Sequence, residues 1–209
     1  MRYLYIDTSS SYLYAAIAED GKLISEIKEE CGQNMSIVAL PKIVSMFNEN
    51  NLEAKDINKI IVVNGPGSFT GIRIGITIAK VFAWSLNIPI TTINSLEAMA
   101  ISSNSDLIHI PMINARRGYV FAAIYDKDYK VLLEPQHIKL DSLISKLNEY
   151  SNYEFISNDE FDLVEKIENY NPDLLKIINH FKDKKEISPH AVNPEYLKLT
   201  EAEESKLWS

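Results

Sequence analysis

Glycine is concentrated in one short stretch of this chain, and that stretch has the residue types of an anion-binding loop. Four of the seven glycines lie within residues 65–75. The β-branched apolar run at residues 60–63 comes before them and predicts a buried strand, while Ser68 and Thr70 after it are residue types that cap helices. A strand, a glycine-rich turn and a helix N-terminus can present backbone N–H groups to a phosphate. The same geometry also serves close packing of backbone segments, because glycine has no side chain.

The glycine spacing does not match a known phosphate-binding motif. A P-loop ends in Gly-Lys-Ser/Thr and a dinucleotide fingerprint reads GxGxxG, whereas the glycines here are Gly65, Gly67, Gly71 and Gly75. We therefore favour close packing over phosphate binding. Gly75 falls one turn inside the predicted helix, where glycine costs about 1 kcal/mol relative to alanine, so we expect another backbone to approach closely there.

Other reactive residue types do not form a recognisable centre. Asp7 ends the first predicted strand and could orient a metal or a water, but we favour a role as a turn former or helix-dipole partner. Cys31 follows two glutamates and has no flanking cation in the position that would activate it, so we expect an unreactive thiol. No GxSxG nucleophile motif is present. The histidines lie in separate segments without metal-ligand spacing: His109, His137, His180 and His190.

Length, charge and cysteine content limit the class of protein. At 209 residues and 23.8 kDa the chain can form one large core or two small ones. The net charge of −8, from 21 basic and 29 acidic residues, argues against independent nucleic-acid binding, so RNA contact is expected only through a partner. A single cysteine excludes an internal disulfide, and the chain start lacks a signal-peptide run, which predicts a cytoplasmic protein. Arg73 and Lys80 interrupt the most apolar helix, so we expect no membrane span.

Hydrophobic periodicity predicts an α/β first half at residues 1–104. Strands at 3–6, 12–18 and 23–27 predict an antiparallel meander, followed by a helix at 36–50, a strand at 60–63, a helix at 72–86, a strand at 89–93 and a helix at 95–102. Pro41 predicts a kink in the first helix or a later start. Alternation of the later strands and helices predicts a parallel extension of the sheet.

The pattern restarts after Asn104 and predicts a reduced second lobe at residues 105–209. Strands are predicted at 109–114, 119–125 and 130–134, and helices at 141–150 and 160–170. This half reads as a shorter copy of the first. The charged tail at 181–209 is expected to pack only locally, around Tyr196 and Leu197.

Five motifs together resemble those of the TsaB family (YeaZ-like) of bacterial tRNA threonylcarbamoyladenosine proteins. They are Ile6-Asp7-Thr8-Ser9, Leu40-Pro41, the glycine-rich block, Asn114-Ala115-Arg116-Arg117-Gly118-Tyr119-Val120 and Pro194-Glu195-Tyr196-Leu197-Lys198. The resemblance spans almost the whole chain. It implies the two-lobed α/β fold of actin-like ATPases (ASKHA, ribonuclease H-like), truncated relative to the catalytic TsaD proteins.

The resemblance implies a non-catalytic subunit without cofactor or metal. Such a subunit binds a TsaD-like catalytic partner, permits docking of a TsaE-like ATPase, and supports transfer of threonylcarbamoyl to the adenosine beside the tRNA anticodon. TsaD proteins carry a His-x-x-x-His metal pair on a helix, and Ser95 and Met99 stand at the aligned positions. No glycine follows Gly118, so a second phosphate loop is not expected. Asn34-Met35-Ser36 replaces a segment where the family often has a histidine.

The two helices of the first lobe carry more apolar surface than one sheet face requires. The second, at 72–86, leaves only a narrow polar stripe of Arg73, Thr77 and Lys80, so an exposed apolar patch is expected, unless the neighbouring helix covers it. We predict that this patch binds the partner, and that the protein forms a homodimer when alone. The predicted interface residues are Leu40, Ile43, Val44, Phe47, Phe69, Gly71, Ile72, Ile74, Gly75, Ile78 and Phe82.

Two other functions stay open at this point. The first is a stand-alone enzyme, either a phosphotransferase or metallopeptidase-like, which kinship with actin-like folds allows. The second is a homodimeric scaffold unrelated to tRNA. Arg116 and Arg117 either contact a partner or form part of a strand turn.

Overall fold

The computed structural model describes residues 1–161 and 166–198 and contains two five-stranded sheets. Sheet A has the order β3-β2-β1-β4-β5, with antiparallel pairing in β3-β2-β1 and parallel pairing in β1-β4-β5. Its strands are β1 (Arg2–Asp7), β2 (Tyr12–Glu19), β3 (Lys22–Glu30), β4 (Lys59–Gly65) and β5 (Ile90–Asn94). The predicted meander and its parallel extension are therefore confirmed.

Helices cover both faces of sheet A because alternate strand residues are apolar on each face. Leu4 and Ile60 face the core under α1 (Met35–Glu49) and α2 (Phe69–Leu86), whereas Tyr5 and Ile61 face the opposite core. Helix α1 continues through Pro41, so the predicted later start is wrong. Helix α3 (Ser95–Ser102) matches its predicted bounds.

Helix α3 lies between the two sheets, which explains why six of its residues are buried. Ala98 and Ile101 belong to a core with sheet A, while Leu96, Met99 and Ala100 pack with Ala123, Tyr125 and Ile156 of sheet B. This helix is thus an apolar contact that joins the two lobes, and Tyr170, whose ring lies against Tyr14 of sheet A, adds another.

Sheet B repeats the strand order of sheet A, as β8-β7-β6-β9-β10. Its strands are β6 (Ile108–Asn114), β7 (Tyr119–Tyr125), β8 (Val131–Lys139), β9 (Tyr153–Ser157) and β10 (Ile167–Asn169), and α4 (Leu140–Lys146) connects β8 to β9. The predicted copy of the first half is confirmed at the level of topology.

The sequence prediction fails after α4. Residues 162–165 of the helix predicted at 160–170 lie outside the described residues, but residues 167–169 form β10, parallel to β9. Ile167 packs in the sheet B core with Phe155, so tertiary pairing decides the conformation of this segment. Strand β9 and helix α5 (Leu174–Phe181) were not predicted.

The C-terminal part of the chain returns to sheet A. Helix α5 packs in the core with Tyr3 and Tyr5, and residues 182–198 form a segment that we call the C-terminal strap. Lys59 Nζ donates hydrogen bonds of 2.8 Å to the carbonyls of Lys182 and Lys184, and Val192 is fully buried. For residues 182–198 the expectation of purely local packing is therefore wrong, whereas residues 199–209 of the predicted tail lie outside the described residues. A cut at residue 104 separates the strap from the sheet on which it packs.

Helix α2 is long and apolar enough to cross a membrane by length and composition alone, a test that a core helix also passes. The expectation of no membrane span, drawn from Arg73 and Lys80, stays a prediction. In the structure it packs along sheet A, with Ile72, Ala79 and Ala83 buried in the core. Core packing on one side accounts for much of its apolar composition.

Candidate functional site

The glycine-rich turn between β4 and α2 packs against the chain's own backbone. A Cβ atom at Gly67 or Gly71 overlaps the carbonyl oxygen of Ser9 or Thr8, respectively. At Gly65 it lies 2.6 Å from the Glu195 carbonyl oxygen in the C-terminal strap. These glycines therefore allow three segments to meet at the ends of β1 and β4, as the close-packing interpretation predicts.

Hydrogen bonds within the chain already use two of the N–H groups at this turn. Ser68 N donates to Ser9 O at 2.7 Å, and Gly71 N donates to the Ser68 side chain at 3.2 Å. Thr8 Oγ1 donates to Gly71 O at 2.6 Å, which fixes the first turn of α2 on the end of β1. The turn is built to position α2.

The prediction for Gly75 is corrected by its surroundings. A Cβ atom here lies 2.5 Å from Thr8 Oγ1, so the close neighbour is a side chain of the same chain and not the expected second backbone. Gly71 likewise contacts Thr8. Neither glycine is placed to let a partner helix approach.

A cleft of about 1240 Å³ opens between the two lobes. The carboxyl ends of parallel strands from both sheets meet there, with Asp7 and Ser95 on one side and Ser157 and Asp159 on the other. In open α/β sheets this edge is where ligands bind. The cleft is thus a large concave site at the sheet edge where a ligand would be expected.

Asp7 is the buried acid of this cleft. Its side chain accepts a hydrogen bond of 2.8 Å from Ser9 N and is 3% exposed. Burial raises the pKa of Asp7, and the hydrogen bond from Ser9 opposes this only in part. Among the described residues, no cation forms an ion pair with it and no group of three His, Cys, Asp or Glu side chains could hold a metal.

The positions that the resemblance aligns with a metal pair serve packing here. Ser95 Oγ donates to the Pro66 carbonyl at 2.6 Å, which ties α3 to the glycine-rich turn. Met99 is buried between α3 and sheet B. Neither side chain offers an imidazole.

A polar cluster that the sequence did not reveal holds the connection between the lobes. Glu154 of β9 accepts hydrogen bonds from Ser103 and, at 2.8 Å, from Ser105, and His109 Nδ1 lies 2.9 Å from the same carboxylate oxygen. Burial raises the pKa of Glu154, but these hydrogen bonds outweigh it, and the pKa is lowered. Lys176 of α5 donates to the Ser103 carbonyl. Sheet B and α5 thus hold the same connecting segment.

The β6–β7 turn fixes two arginines in a left-handed conformation. Arg116 and Arg117 have φ of +66° and +54°, and Asn114 Oδ1 accepts a 2.8 Å hydrogen bond from Arg116 N. Arg116 lines the cleft. Both residues therefore form part of the strand turn, and contact with a partner stays a prediction.

Exposed apolar side chains cluster on α1 and α2, which pack side by side with the Phe47 and Phe82 rings 6.1 Å apart. Ile37 and Trp84 are 71% and 67% exposed. Large apolar side chains rarely gather on a free surface without a binding role. We name this the two-helix surface, and it comprises Ile37, Leu40, Val44, Val81 and Trp84.

The predicted interface residues divide into three groups. Leu40, Val44 and Phe69 are exposed, and Ile74 and Phe82 are half-buried. The remaining six are buried inside this chain and cannot form a free surface: Ile43, Phe47, Gly71, Ile72, Gly75 and Ile78. They pack inside the chain, whereas three exposed apolar residues of the two helices were not among the predicted interface residues: Ile37, Val81 and Trp84.

Comparison with known proteins identifies the family. The family model described as "TsaD: tRNA N6-adenosine threonylcarbamoyltransferase" matches residues 27–203. The "tRNA threonylcarbamoyladenosine biosynthesis protein TsaB" of Bacillus subtilis (strain 168) is 33% identical over 221 residues, covering 97% of this chain and 96% of the relative. The chain belongs to the TsaB family.

Other TsaB relatives and solved structures agree with this assignment. TsaB of Escherichia coli (strain K12) is 33% identical over 131 residues, which cover 61% of this chain and 56% of that protein. Two Pseudomonas aeruginosa structures, one titled YeaZ and one titled as similar to peptidase YEAZ, have TM-scores of 0.71 and 0.79. Each is 17% identical and covers 94% of this chain and 99% of its own. The predicted TsaB family and two-lobed fold class are confirmed.

Proposed function

We propose that this TsaB-family protein is a non-catalytic subunit in tRNA threonylcarbamoyladenosine biosynthesis and binds a TsaD-like catalytic subunit through the two-helix surface. The observation that carries this proposal is the exposed apolar side chains on the paired helices α1 and α2. Apolar anchors on two adjacent helices suit packing against helices of a partner.

The glycine-rich turn and the cleft support a role without catalysis. The backbone of Ser9 and Thr8 occupies the space beside Gly67 and Gly71. The N–H groups of Ser68 and Gly71 already donate to acceptors within the chain. Among the described residues, Asp7 belongs to no group of three His, Cys, Asp or Glu side chains that could hold a metal ion. Threonylcarbamoyl transfer is therefore assigned to the partner.

The proposal includes further partners. A TsaE-like ATPase docks on the assembled complex, and tRNA is reached only through the complex, because the chain itself carries a net charge of −8. The setting of such a complex is the cytoplasm. Without its partner the protein pairs with a second copy through the same surface.

The decisive experiment measures binding to a purified TsaD-like protein from the same organism by calorimetry. Val44→Asp places a charge in the two-helix surface and is expected to weaken binding at least about 30-fold, since hot-spot losses reach about 2 kcal/mol or more. Val131→Asp is the control, because Val131 is equally exposed, at 45% against 44%, but lies on β8. Equal affinities for the two variants contradict the proposal.

Self-association gives a second test. Sedimentation is expected to detect a dimer of the isolated chain that Val44→Asp disrupts and Val131→Asp does not. A wild-type chain that stays monomeric at high concentration argues against pairing through this surface.

The phosphotransferase alternative is favoured by the volume of the cleft alone. Calorimetric titration with magnesium and ATP separates the two functions. We expect no tight binding, and a micromolar site supports the alternative.

A further inference from the structure

Three side chains from distant parts of the sequence stack at the N-terminal end of α2. The Arg73 guanidinium lies 5.1 Å from the centre of the Phe69 ring, and that ring stacks on Tyr196 with centres 5.0 Å apart and planes at 19°. Phe69 and Tyr196 are 52% and 45% exposed. Arginine, tyrosine and other aromatic side chains are the types most often found at binding hot spots.

The C-terminal strap holds this stack in place. Glu195 N donates to the Asn64 carbonyl at 2.8 Å, and Asn94 Nδ2 donates to the Glu195 side chain at 3.3 Å. Lys80 Nζ donates to the Val192 carbonyl at 3.0 Å. Tyr196 is therefore preorganised beside α2, which lowers the entropy cost of binding through it.

A groove of about 350 Å³ runs between α2 and the strap next to the stack. Ile76, Val81, Val192 and Pro194 give it apolar lining, and Arg73 stands in its wall. An apolar side chain fits into such a groove, and an adjacent carboxylate reaches the arginine.

Charge identifies the kind of group that is missing. Arg73 is exposed and forms no ion pair with any residue in 1–161 or 166–198. In a chain of net charge −8, this arginine on the Phe69 ring is suited to donate hydrogen bonds to a carboxylate of the partner.

We propose that the TsaD-like partner extends along α2 onto the strap and presents a carboxylate to Arg73 and an apolar side chain to the groove. This inference rests on the proposed function. Phe69, Arg73, Val81 and Trp84 all lie on the exposed face of α2, at spacings of three or four residues and their multiples. The stack is thus continuous with the two-helix surface, so one partner covers both.

The test compares charge reversals of equal size in the full chain. Arg73→Glu is expected to weaken binding of the TsaD-like protein at least about tenfold and to reduce its dependence on salt. Lys127→Glu, an exposed position at the β7–β8 turn, is expected to change affinity less than about twofold. Equal effects of the two variants overturn the proposal.

The aromatic part is tested separately. Tyr196→Ala is expected to weaken binding about fivefold, whereas Tyr196→Phe keeps the stacked ring and wild-type affinity. An unchanged melting temperature excludes general unfolding as the cause. Wild-type affinity of Tyr196→Ala overturns the inclusion of the strap.

Two results distinguish this inference from the proposed function. Loss of binding in Val44→Asp with wild-type affinity in Arg73→Glu overturns only the extension over the strap, whereas normal binding in both overturns the proposed function as well. The chain's own Glu201, Glu203 and Glu204 are a competing source of carboxylates. If the effect of Arg73→Glu persists when all three are changed to Gln, the partner is the source; if it disappears, the proposal is overturned.

Discussion

Sheets A and B have the same strand order, yet the helices that follow their antiparallel meanders differ in length. After β3, α1 has 15 residues, and after β8, α4 has 7. Sheet A also carries the 18-residue α2, which the glycine-rich turn places directly on β1. The polar end of β9, Ser157-Asn158-Asp159, has no glycine and faces the cleft.

The five-stranded sheet is therefore present in both lobes, whereas the exposed apolar surface of α1 and α2 is present in one. Both lobes retain the sheet, but in the described residues only the first carries a pair of long helices with large apolar side chains exposed along them. The glycines and the strap belong to that lobe, and both fix α2. The following predictions test whether α2 is fixed in this way, beginning with the largest effect.

The largest effect is expected at Gly71, because its neighbour is backbone. Gly71→Ala places a Cβ against the Thr8 carbonyl, which cannot move without shifting β1, and we expect a loss of about 3 kcal/mol in the free energy of unfolding. Gly75→Ala meets the Thr8 hydroxyl instead and is expected to lose about 1 kcal/mol. Urea denaturation measures both.

Two variants control this comparison. Thr77→Ala lies on the exposed face of the same helix and is expected to be neutral or slightly stabilising. When Gly75→Ala is added to the Thr8→Ala variant, we expect no further loss of stability, because the hydroxyl that the new Cβ would meet is already absent. Equal stability of Gly71→Ala and wild type is incompatible with the packing described for this turn.

The sequence was sufficient for the first lobe and for the close packing of the glycines, since strands 1–5 and helices α1–α3 have strong periodicity and clear turn residues. It could not identify what Gly75 contacts, because Thr8 is 67 residues away and helical spacing does not name the neighbour. Strand β10 forms because it pairs with β9, and the strap is held because its backbone carbonyls accept hydrogen bonds from Lys59 and Lys80. Neither contact can be read from the local sequence. The Glu154 cluster joins residues up to 51 positions apart, and no local pattern marks it.

The second effect tests the strap. Lys59 is 2% exposed and donates to two strap carbonyls, so Lys59→Met leaves both acceptors without that donor and is expected to cost about 2 kcal/mol. Lys22→Met, at an exposed lysine of β3, is the control and should leave stability unchanged. If both variants unfold at the same urea concentration as wild type, the strap adds nothing to the first lobe.

The third effect concerns the connection between the lobes. The pKa of Glu154 is lowered in the folded protein, so its carboxylate stabilises the fold above the pKa of the unfolded chain, and this contribution is lost as pH falls through the folded pKa. Glu154→Gln is expected to lose about 1 kcal/mol at pH 7 and less below pH of about 4. Urea denaturation at both pH values measures this change. If the stability lost in Glu154→Gln is the same at both pH values, the loss comes from altered packing and not from the charge of the carboxylate.

The smallest effect has the opposite sign and tests whether the cleft retains a destabilising acid. Burial raises the pKa of Asp7 in the folded protein, so folding favours its protonated form, and the ionised carboxylate reduces stability once pH exceeds the pKa of the unfolded chain. Asp7→Asn keeps an oxygen that can accept from Ser9 N and removes the charge. We expect the variant to be about 0.5–1 kcal/mol more stable than wild type at pH 7, with the gain disappearing near pH of about 3. If the variant is less stable than wild type at pH 7, the charged carboxylate itself is needed to hold the end of β1. Asp7 would then be a structural residue of the first lobe, like the glycines of the turn beside it.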